Sequence, residues 1–347
     1  MALEYAYDVP LAPKTTLGVG GPARRHVVVH DLHELGEAYQ SAHETGEPVM
    51  ILGGGSNLVV CDAGFPGLVV ELDFKDITIV REGSHARVTV GAGVVWDAFV
   101  ARVVESGYAG IECLSGIPGR VGATPIQNVG AYGQEVADTI TKVETIDRQI
   151  RREVTLRPDE CGFAYRTSIF KNNDRWIVTG VEFRLEKRET SMPIQYAELA
   201  KSLGVEPGGT APLQLVRDRV IQLRRGKGMV LDPADPDSRS AGSFFTNPIV
   251  GPEIVSAIEA QLPAGTIMPK FAAEGGKTKL SAGWLIEKAG FAKGFARGRA
   301  GISNKHALAL VNRGGATASE LLALAREIQD GVRAKLGVDL HPEPVIV

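Results

Sequence analysis

The chain has 347 residues, a hydrophobic fraction of 44% and a formal net charge of −3. That length suits two or three globular domains, and the charge gives no general attraction to nucleic acid or anionic membranes. No apolar run approaches the ~18 residues of a membrane-spanning helix, and the start, Met-Ala-Leu-Glu-Tyr-Ala-Tyr-Asp, lacks the regions of a signal peptide. Cys61, Cys113 and Cys161 are odd in number and widely spaced, which suits a reducing cytoplasm and argues against a disulfide frame or zinc site.

From about residue 14 to 186 the sequence predicts short strands broken by glycine-rich turns. Strands are expected over residues 49–52, 58–60, 68–72, 77–80, 87–90 and 176–183, where β-branched residues cluster between turn residues. Residues 94–106 read as a helix ended by Gly107. Residues 187–215 are charged, then rich in Gly and Pro, and mark a boundary with an inserted loop around Tyr196. Beyond it, Leu213, Val216, Val220 and Leu223 recur at helical spacing up to Arg225. Thr317-x-x-Glu320 is a capping box for a helix with Leu321, Ala325, Ile328 and Val332 on one face. Gly337 is placed to stop that helix, and residues 338–345 resume in extended form. The fold class is α+β: a β-rich domain followed by an α/β one.

Several motifs lead nowhere. Gly18-Val-Gly-Gly-Pro-Ala23 fits G-x-G-x-x-A on paper, but it follows Lys-Thr-Thr-Leu rather than an apolar strand and holds Pro22 inside the turn. Gly275-Gly-Lys-Thr278 lacks the first glycine of a P-loop, whose place falls at Phe271. His26 and His30 would share a strand face, yet with His33 they find no spaced carboxylate or cysteine, so surface or core histidines are the better reading. The basic run Arg217, Arg219, Arg224, Arg225 and Lys227 reads first as a solvated helix face. Its end just before the serine segment makes Lys227 a candidate for an anionic ligand.

Three stretches carry more, two of them glycine-rich. Gly53-Gly-Gly-Ser-Asn57 joins two strands, so its N–H groups can form a nest for a diphosphate without a helix dipole. The loop from Gly116 to Gly133 is long and rich in small residues. As plain structure it would be an entropic liability, whereas a ligand needing close backbone approach accounts for it. Two nests without a Rossmann fingerprint suggest a dinucleotide held extended between two β subdomains, and FAD fits best. Ala241-Gly-Ser-Phe-Phe-Thr-Asn-Pro248 sets Ser243 beside two aromatics that can exclude water, a place where a proton donor is useful.

With these elements in order, the chain resembles the UDP-N-acetylenolpyruvoylglucosamine reductase family, in the subclass with an inserted tyrosine loop. The resemblance rests on Gly53-Gly-Gly-Ser-Asn57, Gly116-Ile-Pro-Gly119 with Gln127-Asn-Val-Gly-Ala-Tyr-Gly133, Tyr165-Arg-Thr-Ser-Ile-Phe-Lys171, the serine segment, Lys279-Leu-Ser-Ala-Gly-Trp-Leu-Ile286 and Pro342-Glu-Pro344. It runs over nearly the whole chain. It implies a PCMH (vanillyl-alcohol-oxidase) type FAD-binding domain over residues 14–186, with subdomains 14–72 and 73–186. A linker with the tyrosine loop would follow over 187–215, then a C-terminal substrate-binding domain over 216–347. The implied reaction is reduction of UDP-N-acetylglucosamine enolpyruvate to UDP-N-acetylmuramate in cytoplasmic peptidoglycan precursor synthesis. FAD would be bound non-covalently and NADPH would be the hydride donor. A monomer with small-molecule partners is expected, with neither nucleic acid nor membrane.

Carried over residue by residue, the resemblance gives Arg166 to the substrate carboxylate, Ser243 as proton donor and Glu343 as the catalytic glutamate. Charge develops on that carboxylate as hydride arrives, which an arginine fork can meet. Cofactor contacts fall on Gly53, Gly54, Gly55, Ser56, Asn57, Ser115, Gly116, Ile117, Gly119, Gly122, Ala123, Gln127, Asn128 and Gly130. Substrate contacts fall on Tyr132, Tyr196, Lys227, Asn247, Lys279 and His306, the last standing where some relatives carry an amide. The chain ends at Val347, where some relatives continue with a further strand. Two other readings compete: a sugar or alcohol oxidase of the same superfamily, and a silent flavin or nucleotide-sugar binder. The first often tethers flavin through a His or Cys that both glycine loops lack, and the second has no need of a proton donor.

Overall fold

The computed structural model describes residues 3–347. They form two compact units: residues up to 9, 23–55 and 65–226 in the first, and 10–22, 56–64 and 227–347 in the second.

The first unit carries two larger sheets and a two-stranded pairing of Gly130–Ala131 with Gln134–Glu135. A four-stranded sheet has the order Ala6–Pro10, Pro22–Val29, Phe65–Leu72, Val49–Leu52. Its last three strands run parallel, which requires a crossover. Helix α1 (Leu32–Thr45) lies between two of them in sequence. Asp31 caps it by accepting from Glu34 N–H, Gly46 ends it in the left-handed region, and Leu35, Ala38 and Ala42 are its buried face. This helix is absent from the sequence reading because two of its three core residues are alanines, which give little periodic signal.

The second sheet is antiparallel, with Ile140–Asp147, Trp176–Lys187, His85–Gly91 and Ile77–Glu82 side by side. Along His85–Gly91 the residues Ala86, Val88 and Val90 are fully buried and alternate with half-buried ones, the period expected of a sheet with one covered face. Helix α2 (Trp96–Glu105) covers it with Trp96, Phe99, Val100, Val103 and Val104. The rings of Phe99 and Phe183 lie 5.3 Å apart, and Trp96 Nε1 donates to Leu114 O. The strands expected at 68–72, 77–80, 87–90 and 176–183 are each longer than the sequence suggested: the first begins earlier, at Phe65, and the other three start or end in polar residues that backbone pairing carries along.

Residues 187–215 hold more order than an inserted loop. Tyr196 is the N-cap of α3 (Ala197–Leu203), and Leu199 and Ala200 pack with Ile194, Val216 and Val220. Helix α4 (Leu213–Gly226) therefore packs within the first unit, whereas the sequence grouped residues from 216 onward with the C-terminal domain. Its basic run is also divided. Arg217 is buried and paired, Arg219 and Arg224 are half-buried, and Arg225 is exposed.

The second unit is assembled from three chain segments around α5 (Pro252–Gln261), α6 (Ala282–Ala289) and α7 (Ala318–Leu336). Phe244, Phe245, Leu285, Ile286, Leu321 and Ile328 are in its core. The capping box of α7 is present as Thr317 and Glu320 bonding reciprocally, and Gly337 ends it at φ +67°. Asp62 adds a second cap, its carboxylate accepting from Ala318 N, Ser319 N and the Ser319 hydroxyl. Of residues 338–345, expected to be extended, only the end joins a ladder. Val345–Ile346 pairs in parallel with Leu58–Val59. Among the described residues, no helix is long and apolar enough to cross a membrane.

Candidate functional site

In the first unit the two glycine loops meet. A Cβ on Gly54 would lie 2.7 Å from the Cα of Gly119, so backbone abuts backbone and no larger residue fits there without displacement. Gly55, Gly116 and Gly119 have φ of +59°, +71° and +124°, a region other residues rarely enter. Gly122 is fixed the same way, with its would-be Cβ 2.5 Å from that of Ala92. Ser115 is fully buried and its hydroxyl turns back to Glu112 O at 2.6 Å. Glycine N–H groups in left-handed turns suit an anionic diphosphate, and the residues of this cradle fit a dinucleotide such as FAD.

The cradle is braced by Asp97 at the start of α2. Asp97 Oδ1 accepts from Gly116 N at 2.6 Å, and Arg217 on α4 grips the same carboxylate with both terminal nitrogens, at 2.6 and 2.9 Å. Burial pushes the Asp97 carboxyl up. The Arg217 and Gly116 hydrogen bonds outweigh it and hold the group below the usual carboxylate range.

Arg166 stands at the tip of a two-residue turn closed by reciprocal Ala164 and Thr167 backbone bonds. Its φ is +55°, uncommon for a residue with a long side chain. The guanidinium donates to Gly130 O at 2.6 Å and Asn128 O at 3.4 Å, and it lies 5.2 Å from the Tyr165 ring centroid. Asn128, buried and also left-handed, donates to Glu135 and to Ala164 O and accepts from Ala137 N. Its side chain thus ties the end of the second glycine loop to the arginine turn. Tyr132 and Tyr196 meet edge to face with centroids 5.3 Å apart. Burial pushes the Tyr132 hydroxyl up to about 12, so it stays a hydrogen-bond donor at neutral pH. Burial likewise lowers Arg224 to about 10, which leaves it a cation.

In the second unit, short backbone pairings place the remaining residues. Glu343 N donates to Phe244 O at 2.9 Å, Thr246 N donates to His341 O, and Phe245 bridges Pro342. The serine segment and the Pro-Glu-Pro segment therefore lie side by side, with Ser243 next to the residue that receives Glu343. Both are half-buried, while Phe244 and Phe245 are buried beneath them. Asn57 Nδ2 donates to Glu343 O at 3.4 Å, and Val345 N donates to Asn57 O, so the end of the first glycine motif joins the same place. Asn247 Oδ1 accepts from Ala282 N, and Lys279 pairs with Ile249 across the adjoining strands. Lys227 is half-buried just after α4. His306 accepts from Leu308 N through Nδ1 at 3.1 Å, a bond that leaves Nε2 as the protonated nitrogen of the neutral ring.

His26 and His30, the other histidines weighed, face carboxylates of neighbouring strand residues. His26 Nε2 lies 2.7 Å from Glu71, and His30 Nδ1 lies 3.4 Å from Asp73. The bracing residues Asp97, Arg217 and Glu112 did not stand out in the sequence. For Glu112 a signal was available: it is a lone charge in the otherwise apolar run Ile111-Glu-Cys-Leu114.

Residues 233–347 match the family model of the UDP-N-acetylenolpyruvoylglucosamine reductase C-terminal domain, and residues 23–149 match an FAD binding domain model. The UDP-N-acetylenolpyruvoylglucosamine reductase of Thermobifida fusca is 52% identical, with 100% of this chain and 99% of that protein covered. That of Streptomyces avermitilis is 50% identical, with 99% and 95% covered. The crystal structure of the Thermus caldophilus UDP-N-acetylenolpyruvylglucosamine reductase is similar at a TM-score of 0.67 and 30% identity, over 100% of this chain and 99% of that one.

Proposed function

The chain belongs to the UDP-N-acetylenolpyruvoylglucosamine reductase family, and on that premise we propose that it reduces UDP-N-acetylglucosamine enolpyruvate to UDP-N-acetylmuramate. FAD is the bound cofactor, NADPH the hydride donor, and the product serves peptidoglycan precursor synthesis in the cytoplasm. Residues 14–186 serve as the cofactor domain and residues from 216 onward carry most of the substrate contacts. The observation that carries the cofactor reading is the Gly54–Gly119 approach, a cradle built of bare backbone. FAD, when bound, accepts hydride from NADPH and passes it to the enolpyruvyl carbon.

The side chains then have distinct tasks. Gly53, Gly54, Gly55, Ser56, Asn57, Gly116, Gly119 and Gly122 hold the dinucleotide through backbone groups, with Ser115, Ile117, Ala123, Gln127, Asn128 and Gly130 completing that loop. Arg166 offers its planar fork to the substrate carboxylate, where negative charge grows. The Gly130 and Asn128 carbonyls preorganise that fork. Ser243 gives the proton to the carbon next to the carboxylate. A serine hydroxyl is a weak acid, so this requires a strongly basic enolate and the dry setting beside Phe244 and Phe245. Glu343 orients the groups around that proton transfer. Tyr196, with Tyr132, closes over the diphosphate, and Lys227, Asn247, Lys279 and His306 hold the rest of the nucleotide sugar. The enzyme acts as a monomer.

The test is the visible spectrum of the purified protein under anaerobic conditions. A flavin spectrum should bleach with NADPH and return when the enolpyruvyl nucleotide is added. Bleaching reversed by oxygen alone would favour an oxidase, and a colourless protein that cannot take up FAD would overturn the reading.

A further inference from the structure

Glu112 is fully buried, and none of the tasks above uses it. Its carboxylate accepts two backbone N–H groups, Gly110 N on Oε2 at 2.6 Å and Met192 N on Oε1 at 2.7 Å. A carboxylate is expensive to bury unless its oxygens are met, so these two bonds define what it does. The residues that follow tie the second glycine loop at both ends. Gly116 begins that loop, and Cys113 N donates to the Gln134 side chain just past Gly133, at 2.8 Å.

Met192 lies on the other side of the tie, at the root of the segment that leads to Tyr196. Ser191 and Ile194 donate to Ala211 and Gly209, bonds that join residues 187–215 to themselves. The Met192 N–H is donated out of the segment to Glu112. Past that point Ile194 is buried and bonded both ways to Gly208 and Gly209, whereas the exposed Pro193 and Gln195 line a cavity of about 480 Å³ together with Gly110, Gly133 and Gln134. Gly133 nevertheless touches the segment: a Cβ there would lie 3.6 Å from Gln195 Cβ and 3.8 Å from Tyr196 N. Ile194 anchors the segment to its own return stretch at 208–209, and the Glu112 bond ties that anchored unit to the turn before the second glycine loop.

We propose that Glu112 is a positioning residue for Tyr196, tying the tyrosine segment to the turn that carries both ends of the second glycine loop. The inference rests on the function proposed above for its reading in turnover. Glu112→Gln keeps one acceptor oxygen but turns an NH2 group toward the other N–H donor, so one of the two bonds is lost. The KM for the enolpyruvyl nucleotide should rise about tenfold or more, while FAD content and the rate of bleaching by NADPH stay as in the parent. In a Tyr196→Ala background the same change should raise KM no further, because the two residues act as one unit. Met192→Pro removes the N–H from the opposite side and should reproduce the effect, including where Glu112→Gln does not fold. Amide exchange over residues 194–196 should quicken in either variant of the holoprotein. That measurement needs no turnover, so it tests the tie even if the parent enzyme fails to reduce the nucleotide. An unchanged KM, a KM rise that persists without Tyr196, or an equal fall in bleaching by NADPH would each overturn the proposal.

Discussion

The two units hold their site residues differently. In the first, side chains reach backbone: Asp97 holds Gly116, Glu112 holds Met192, and Asn128 ties its loop to the Arg166 turn. In the second, backbone pairing places Ser243 and Glu343, since Glu343 pairs with Phe244 and Phe245 with Pro342, while the Asn57 and Asn247 side chains add bonds to Glu343 O and Ala282 N. A substitution at Ser243 or Glu343, whose places are set by backbone pairing, can therefore remove a chemical group and leave the scaffold in place. A substitution among the braces of the first unit moves groups that were not themselves changed. Chemistry and position are separable by choosing the residue.

Ser243→Ala should give the largest and cleanest effect. Bleaching by NADPH should remain near normal, while recovery of the spectrum with the enolpyruvyl nucleotide slows about 10²–10⁴-fold. Equal speed in both phases would remove Ser243 from its role. Arg166→Lys should come next, lowering kcat about 10²-fold through loss of the fork. Because Lys also lacks the two carbonyl contacts, an unchanged kcat would show that preorganisation at Gly130 and Asn128 is irrelevant.

A brace should cost less than a reacting group. Asp97→Asn removes the charge that Arg217 grips and should weaken FAD retention about tenfold, read as the FAD dissociation constant, with the nucleotide KM little changed. The same brace has a pH dependence. The folded-state pKa of Asp97 is depressed, so its contribution is complete above the usual carboxylate value of about 3.9 and is lost as pH falls through the lower, folded value. FAD should be released on acidification at a pH below that ordinary value, and release already complete near pH 5 would exclude this cause.

The smallest effect should come from Asp62→Ala, which removes a cap from α7 and should cost about 1 kcal/mol. A scanning measurement would read this as about 2–4 °C in Tm, with an unaltered flavin spectrum. Burial pushes the Asp62 carboxyl up, but the Ser319 and Ala318 bonds hold it low, so this stabilisation too disappears on acidification and persists at high pH.

What the sequence disclosed follows the same division. The residues proposed to do chemistry, Arg166, Ser243 and Glu343, sit in recognisable motifs. Elements with local signatures were also legible, notably α7 through Thr317 and Glu320 and, over 87–90, the middle of the strand His85–Gly91 through its β-branched residues. The braces were not, because Asp97 and Arg217 are 120 residues apart in sequence and each alone resembles an ordinary helix-surface charge. Helix α3 was hidden for another reason. A short element between Gly- and Pro-rich stretches has too few turns for its periodicity to register, and it is ordered by packing of Leu199 and Ala200 on α4.

The parallel pairing of Val345–Ile346 with Leu58–Val59, extended by Cys61 N donating to Val347 O, has a consequence for biosynthesis. A ribosome releases Leu58–Val59 long before the strand that completes it, so this edge must wait exposed while the intervening chain is made. Glu343 arrives in the same short stretch as that strand. A prematurely terminated chain would lack the carboxylate and leave the edge uncovered at once, making such products candidates for aggregation or proteolysis rather than inactive competitors for the cofactor.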